Sequence, residues 1–281
     1  MEKTLAFIKT IQPYFVMQTD HFQQYIMGVY GISHFYSYDE YPACSNRAVV
    51  PDGCLDILFE YGSQDMQVSV CGTVLQHKII ERGIAKTCFG VRFFPGFLPT
   101  FIQGKLTDFI DKQIPLEELL DSMDFIYHMT QARTFLERIS VFMQFYKKTY
   151  REEQTIGGAK LIIHMVEQMI YGSHGEIQIK EIEEQSGYTA RYINKLFHRE
   201  IGLNPKKFCL IIKFQRFLTQ LHCTDGESMA NLAVEYGYFD QAYLSKEFSK
   251  YTNLTPMRYF RLLQESKYRE RIVTYQQKNI G

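Results

Sequence analysis

Two groups of polar side chains in the last hundred residues have types and a spacing suited to hydrogen bonding with DNA bases. Each group falls on one face of a predicted helix, opposite apolar residues at three- and four-residue steps. The groups are Arg191, Asn194, Lys195 and His198, and Gln241, Ser245 and Lys246. Arginine and lysine can bond guanine O6 and N7, and asparagine and glutamine can bond adenine N6 and N7. The pattern predicts two base-reading faces, with two merely solvated faces as the alternative.

Residue types that bind phosphate flank the same helices. Lysine, arginine, hydroxyl groups and helix N-termini are the usual phosphate contacts in protein–DNA interfaces. Thr189 and Asp240 are predicted N-caps of the two helices. Four basic residues lie near the helix starts that follow, namely Lys206, Lys207, Arg258 and Arg261. We expect these six positions to contact phosphates.

An internal repeat of about fifty residues carries the two faces. Ile179, Ile182, Gly187 and Tyr188 recur as Met229, Leu232, Gly237 and Tyr238, and Ile193, Lys195, Phe197, Leu203 and Pro205 recur as Leu244, Lys246, Phe248, Leu254 and Pro256. In each copy a short helix, over residues 180–186 and 229–236, ends at a glycine that can adopt the left-handed conformation. Two helices joined by a tight turn form a helix-turn-helix, whose second helix enters the major groove.

A long helix over residues 205–221 is predicted between the two copies. A rigid connector of this kind would fix the spacing of the two recognition helices. They could then enter successive segments of the major groove, about 34 Å apart on one face of the DNA. A connector shorter than that rise would require bent DNA.

These residues resemble the AraC/XylS family of bacterial transcription regulators over about residues 160–263. The resemblance rests most on the run from Gly237 to Phe248, GYFDQAYLSKEF, followed by Leu254-Thr255-Pro256. It implies seven helices with two helix-turn-helix units, double-stranded DNA as partner and contact with RNA polymerase. It also adds Ala242, which could only touch a thymine methyl, to the base-reading positions. Glu183 departs from the small alanine usual in the family, which the second copy keeps as Ala233.

The N-terminal half is predicted to contain short strands from about residue 46 to 94. Segments 55–61, 68–71 and 87–94 are rich in strand formers and are separated by turn signals, which favours a small antiparallel barrel or sandwich. The runs VPDGCLDIL, from Val50, and FGVRFFPG, from Phe89, resemble an uncharacterised domain that precedes some AraC-type DNA-binding domains. That resemblance implies a cupin-like barrel that binds a small effector. The expected fold class is therefore α+β.

Four charged residues are candidates for an effector pocket in this half: Arg47, Asp52, Asp56 and Arg92. Arg92 lies in an otherwise apolar segment. Two interpretations stay open, a structural Arg–Asp ion pair and an arginine that binds a carboxylate or phosphate of the effector. The many phenylalanines of this half are expected in the core, with an apolar ligand pocket as the alternative.

A helix over residues 130–146 has one apolar face. Its members are Phe135, Leu136, Ile139, Phe142, Met143 and Tyr146. The face could pack on the barrel or join two copies of the chain, and we expect a homodimer through it.

The cysteines do not predict an enzyme or a metal site. Cys44, Cys54, Cys71, Cys88, Cys209 and Cys223 include no C-x-x-C pair, and no histidine cluster completes a zinc pattern. Buried reduced thiols are expected, with a redox sensor of Cys44 and Cys54 as the alternative. Cys54 as the nucleophile of a DNA-repair regulator would need an activating base, and no histidine lies near it in sequence. We expect no catalytic residue and no cofactor.

Length and charge suggest two domains with different partners. The 281 residues balance 31 basic against 31 acidic side chains, but residues 156–281 carry 17 basic and 13 acidic ones. We expect a sensor domain over 1–152, a linker over 153–158, a DNA-binding domain over 159–267 and a tail over 268–281. Without a secretory signal or a long apolar run, the expected location is the cytoplasm. A ligand-independent, architectural DNA-binding protein is the alternative to an effector-controlled regulator.

Overall fold

The computed structural model describes residues 9–40, 46–63, 65–81, 86–120, 124–150, 158–223 and 241–275. A strand-rich N-terminal part precedes a helical C-terminal part, which confirms the α+β class. Several sequence expectations concern positions outside the described residues. These are Cys44, residues 153–157 of the linker, Asp240 and the helix over 229–236.

The strands form a seven-stranded sheet and a two-stranded ribbon. They are β1 (Thr19–Val29), β2 (Ile32–Glu40), β3 (Asn46–Val49), β4 (Asp56–Tyr61), β5 (Met66–Cys71), β6 (Lys78–Glu81), β7 (Thr87–Phe93), β8 (Gln113–Pro115) and β9 (Val273–Tyr275). The sheet order is β8-β5-β4-β7-β2-β1-β9, and β3 pairs with β6. The three predicted strands correspond to β4, β5 and β7. Strands β8 and β9 are the two edges of the larger sheet.

The sheet presents two different faces, because side chains alternate along each strand. Ile57 of β4 and the Phe89, Val91 and Phe93 side chains of β7 belong to a large apolar core. Arg92 lies between two of these residues and points to the opposite face, where it lines a cavity. The antiparallel register of β4 and β7 pairs Arg92 directly with Asp56.

Two helices cover the apolar face of the sheet and change the expectation for residues 130–146. They are α3 (Asp124–Gln131) and α4 (Phe135–Thr149), so the predicted helix begins five residues later, after a capping box at Thr134. Phe142 and Tyr146 of α4 are buried in the sheet core. Most of the predicted apolar face thus packs on the sheet, the alternative that the sequence left open, and a dimer through this helix stays a prediction.

The C-terminal part follows the predicted order of helices. They are α5 (Gly158–Gly172), α6 (Ile179–Ser186), α7 (Ala190–Ile201), α8 (Pro205–Cys223), α9 (Gln241–Thr252) and α10 (Pro256–Glu265), while the N-terminal part also holds α1 (Pro13–Met17) and α2 (Leu106–Phe109). Gly187 ends α6 with a φ of +74°, and Thr189 caps α7 by accepting the Tyr192 N–H. The tight turn of the first helix-turn-helix is thus the one that the glycine and the cap predict.

The two parts pack on each other along α8. Tyr14 and Val50 of the N-terminal part share an apolar cluster with Phe214 and Leu218 of α8 and Phe248 of α9. Gln215 of α8 is fully buried at this contact. The connector between the helix-turn-helix units is therefore also the surface on which the N-terminal part rests.

Part of the expected C-terminal tail belongs to the N-terminal sheet. Strand β9 runs parallel to β1, with Gln23 opposite Val273 and Tyr25 opposite Tyr275. Arg271 donates to the Thr19 carbonyl and to the Asp20 carboxylate beside this pairing. Residues that follow the helical domain therefore form one edge strand of the sheet.

Candidate nucleic-acid interface and ligand cavity

The first candidate interface is the exposed face of α7. Arg191 and Lys195 are exposed, whereas Ile193, Leu196 and Phe197 are buried on the opposite side. Within the described part of the chain, no ion pair engages Arg191 or Lys195. This face therefore offers two unneutralised cations at the spacing that the sequence predicts.

Asn194 behaves differently from its neighbours on α7. Its side chain is half-buried, and Nδ2 donates to the Ala190 carbonyl at 2.8 Å. One amide hydrogen is thus used within the helix. Reading an adenine with both amide groups would require this hydrogen bond to break.

The second candidate interface is the matching face of α9. Gln241, Ala242 and Lys246 are exposed and Ser245 is half-buried, while Leu244 and Phe248 are buried. Both faces also carry an exposed tyrosine that the sequence analysis overlooked. Tyr192 and Tyr243 occupy equivalent positions, one residue before the buried Ile193 and Leu244. The repeat itself contains this signal, because Tyr192 and Tyr243 are 51 residues apart, as are Ile193 and Leu244.

Glu183 takes a defined role at the start of α7. Its carboxylate accepts the Ala190 backbone N–H. This residue therefore acts with Thr189 to satisfy the free N–H groups of the first turn, and its charge suits the positive end of the helix dipole. Glu183, where the family usually has a small residue, therefore acts as a cap of α7.

The predicted phosphate contacts divide into two sets. Lys206, Arg258 and Arg261 are exposed in α8 and α10. Lys207 instead donates from Nζ to the Leu75 carbonyl of the N-terminal part at 2.9 Å. Its ammonium also lies 5.0 Å from the centre of the Tyr251 ring, and burial lowers its pKa. Lys207 is thus a contact between the two parts of the chain, and the expected phosphate role is not retained for it.

A cavity of about 210 Å³ lies against the polar face of the sheet. All four residues proposed from sequence line it, since Arg47, Asp52, Asp56 and Arg92 come together there. The cavity also contacts Gln12 and Phe15 of the N-terminal segment, which the sequence analysis did not single out. Nothing in the sequence places these two residues near β4, because about forty residues separate them from Asp56.

Arg92 is fully used within the protein. Nε and Nη2 donate to the two carboxylate oxygens of Asp56 at 2.9 and 2.6 Å, and Nη1 lies 3.0 Å from Asp52 Oδ2. Tyr36 donates to Asp56, and burial raises the pKa of Asp52 against the opposing charge of Arg92. A buried pair needs this many partners to offset the loss of hydration. The structural ion pair is therefore the interpretation that the geometry favours for Arg92.

Arg47 has fewer hydrogen-bonding partners than Arg92, the other arginine that lines the cavity. Its Nη2 lies 2.8 Å from Glu40 Oε1, and its guanidinium lies over the rings of Phe15 and Tyr38. Its Nε and Nη1 are buried and lack a hydrogen-bond partner among the described residues. Leaving such donors unpaired is costly.

Cys54 lines the same cavity, but its surroundings do not favour nucleophilic chemistry. Its Sγ is buried 3.0 Å from Thr10 Oγ1. Burial raises the pKa of the Cys54 thiol well above its usual value, and the Asp52 charge raises it further. The thiolate that a nucleophile needs is therefore disfavoured.

A hydrogen-bonded route joins the cavity to α8. Gln12 donates to Asp52 Oδ2 at 2.8 Å and to the Val50 carbonyl. Next to it, the Ile11 N–H donates to Gln215 Oε1 at 2.8 Å, and Gln215 Nε2 donates to the Pro51 carbonyl at 2.7 Å. Gln215 lies within the predicted connector helix over 205–221, and no role was predicted for it. A glutamine in an otherwise apolar helix face is the signal that marks it.

The described residues contain no candidate for two other kinds of site. No cluster of histidine, cysteine, aspartate or glutamate side chains there has the arrangement of a metal site. Nor does any helix of the described segments have the length and apolar character needed to cross a membrane.

Two family models match different parts of the chain. Residues 182–262 match a helix-turn-helix domain, and residues 30–115 match a domain of unknown function, DUF6597. The first match covers most of both repeats, and the second covers β2 through β8. The sequence resemblance to the AraC/XylS type is thereby confirmed for the C-terminal part.

The chain is also similar to curated proteins and to solved structures. It is 19% identical over 131 residues to the uncharacterized HTH-type transcriptional regulator SAS0078 of Staphylococcus aureus strain MSSA476. The match covers 47% of this chain and only 17% of that protein. An apo variant of ToxT from Vibrio cholerae covers 83% of this chain with 12% identity and a TM-score of 0.45, and 98% of ToxT is covered. A fatty-acid-bound ToxT covers 88% of this chain with 13% identity and a TM-score of 0.37, and 95% of ToxT is covered.

Proposed function

The chain carries an AraC-type helix-turn-helix domain behind a domain of unknown function, and from this premise we propose that it is a sequence-specific, DNA-binding transcription regulator. We further propose that a small effector bound in the N-terminal cavity controls the affinity of the chain for DNA. Contact with RNA polymerase is part of this proposal, as the means by which the bound protein alters transcription.

The observation that carries the DNA-binding proposal is the pair of matched recognition helices. Both α7 and α9 bury an apolar face and expose cations or amides at equivalent positions. We assign base reading to Arg191, Lys195, Gln241 and Lys246, with Asn194, Ala242 and Ser245 as weaker contacts. Lys206, Arg258 and Arg261 supply phosphate contacts, since they are exposed at the starts of α8 and α10 or within one turn of them.

The connector helix supports a bent DNA target. Helix α8 has 19 residues and is therefore about 28 Å long. This is shorter than the rise of about 34 Å between successive major-groove segments on one DNA face. Bending the DNA towards the protein would bring the two segments within reach of both helices.

The cavity supports effector control because of what borders it. Gln12 contacts the cavity residue Asp52, while its neighbour Ile11 and the nearby Pro51 both bond Gln215 in the middle of α8. A ligand that moves Gln12 or Asp52 would act on the helix that sets the spacing of the recognition helices. Such a ligand changes DNA affinity only by its differential affinity for the two arrangements.

Selection of binding sites from random DNA tests the proposal. We expect the wild-type chain to enrich one sequence, and Lys195→Ala and Gln241→Ala to lose about 1–3 kcal/mol each and to relax preference at one position each. Lys148→Ala and Gln144→Ala remove the same side-chain types from the exposed surface of α4, and should leave the preference unchanged.

Two results would contradict the assignment. Failure of the wild-type chain to enrich any sequence would remove the regulator proposal. Identical preferences for Lys195→Ala, Gln241→Ala and their α4 controls would remove these helices as the base-reading elements.

A further inference from the structure

The starting observation is that Arg47, in the cavity wall, has two N–H-bearing nitrogens without a partner. Arg47 is 5% exposed, its guanidinium lies near the rings of Phe15 and Tyr38, and Glu40 contacts Nη2. The N–H groups on Nε and Nη1 have no partner among the described residues. Because guanidinium N–H groups lie in the plane of the group, an acceptor that approaches within that plane can satisfy one of these donors.

The second observation is a carboxylate without a good partner on the same cavity. Glu60 is half-buried, and its one hydrogen bond from Gln113 is 3.5 Å long, too long to be strong. The nearer partner of that Gln113 amide is Ser69 Oγ, at 2.9 Å. Burial raises the pKa of Glu60, and the charge of Arg47 opposes this effect. Glu60 and Arg47 are therefore close enough to influence each other electrostatically.

The charges of the cavity favour ligands that carry both complementary groups. Arg92 and Arg47 already face three carboxylates, those of Asp52, Asp56 and Glu40, and Glu60 and Glu81 add to the negative excess. A purely anionic ligand would face this negative excess at low dielectric. A purely cationic ligand would gain nothing from the unpaired Arg47 donors, whereas a ligand with an acceptor would.

We propose that the cavity binds a small molecule with a cationic amine at one end and a carboxylate or carbonyl acceptor at the other. The acceptor bonds an unpaired N–H group of Arg47, and the amine pairs with Glu60. Phe15, Leu58 and Val74 supply an apolar wall for a short carbon skeleton. The volume of about 210 Å³ lies below the range of about 300–1,000 Å³ that is usual for drug-sized ligands, so a free amino acid or a short amino amide is the right size.

This inference deepens the proposed effector control and rests on it for its biological meaning. It assigns ligand recognition to Arg47 and Glu60. Each guanidinium nitrogen of Arg92 already contacts a carboxylate, so Arg92 and Asp56 form part of the cavity wall without a role in recognition.

Calorimetric titration of the full chain with matched probes tests the ligand class. Leucine and leucinamide carry both groups, 4-methylpentanoate lacks the amine, and 3-methylbutylamine lacks the acceptor. Because the distance between Arg47 and Glu60 sets the best skeleton, β-alanine, 4-aminobutanoate and 5-aminopentanoate form a second series. We expect at least one two-group probe to bind at millimolar concentration or below, and more tightly than either one-group analogue. Leucine against leucinamide distinguishes a carboxylate from a carbonyl.

Two variants test the assigned residues. Glu60→Gln should weaken the best probe about tenfold or more, because a charge-assisted bond becomes a neutral one. Glu118→Gln, on the exposed surface, is the matched control. The double variant Arg47→Met with Glu40→Gln removes the donors without leaving a buried charge, and should abolish binding. Thermal unfolding of each variant shows that it is folded.

Three outcomes would overturn the inference. They are the absence of binding by every two-group probe, equal binding by a one-group analogue, and unchanged affinity in folded Glu60→Gln. Binding-site selection without any probe separates this failure from that of the proposed function. A chain that selects DNA but binds no probe loses only the ligand class, whereas one that binds the probe but selects no DNA loses the regulator proposal.

Discussion

Replacing Gln215 with methionine removes the polar link between the cavity region and the connector helix while keeping its length and helix propensity. The side chain is fully buried and makes two short hydrogen bonds, from the Ile11 N–H at 2.8 Å and to the Pro51 carbonyl at 2.7 Å. A buried backbone group left without a partner costs about 1–3 kcal/mol, so two such groups cost about 2–6 kcal/mol. Packing of the apolar methionine side chain offsets part of this loss. We expect Gln215→Met to lower the free energy of unfolding by about 2–4 kcal/mol.

Two measurements check this value. Urea unfolding can be followed by circular dichroism, since the chain contains no tryptophan for fluorescence. Hydrogen exchange adds a local probe, because the Ile11 amide donates to the substituted side chain. A local loss of about 2 kcal/mol should make that amide exchange about 30 times faster. Gln144→Met, on the exposed surface of α4, should change neither quantity.

The Gln215→Met variant should lose the effect of a cavity ligand on DNA affinity but keep DNA recognition itself. Gln215 does not belong to either recognition face, so Gln215→Met should keep the site preference of the wild-type chain. A cavity ligand should no longer change the affinity for DNA. An unfolding free energy within about 0.5 kcal/mol of wild type, together with unchanged exchange at Ile11, would refute the reasoning.

Further predictions concern a buried acid and two neighbouring lysines. Burial raises the pKa of Glu167 to about 8, so the folded state is weakened as the pH rises from the ordinary value of 4.5 through 8. The upper limit is about 5 kcal/mol, and because part of the side chain reaches solvent we expect about 1–2 kcal/mol. Glu167→Gln should therefore raise the melting temperature at pH 8 but not at pH 4.5, and equal shifts at both pH values would contradict this. For DNA binding, Lys206→Ala should reduce the salt dependence by about one ion, whereas Lys207→Ala should leave it unchanged. A reduced salt dependence of DNA binding for Lys207→Ala would show that Lys207 does contact a phosphate.

Local patterns in the sequence were sufficient for the helix-turn-helix elements. Gly187 ends α6 in the left-handed conformation and Thr189 caps α7, as their residue types predict. The predicted connector over 205–221 corresponds to α8, Pro205–Cys223. These features depend on residues within one or two turns of each other, which is the range over which caps and helical periodicity act.

The same local patterns were less informative about which surfaces are free. The apolar face of α4 is compatible with a dimer or with a sheet, and only the position of β4 and β7 shows that Phe142 is buried within the chain. Lys207 has the residue type of a phosphate contact, but Leu75, more than a hundred residues away, receives its hydrogen bond.

Residue types along the chain were enough to identify four charged residues of the cavity, whereas the role of each depends on the fold. Arg47, Asp52, Asp56 and Arg92 stand out because charges are rare among apolar strand residues. Which arginine is saturated depends on strand register, since Asp56 lies directly opposite Arg92. Arg47 keeps two donors unpaired because Phe15 and Tyr38 offer it aromatic rings and Glu40 engages one nitrogen only. Hydrogen-bond partners are set by positions in space, and the spacing of residues along the chain carries no information about such long-range contacts.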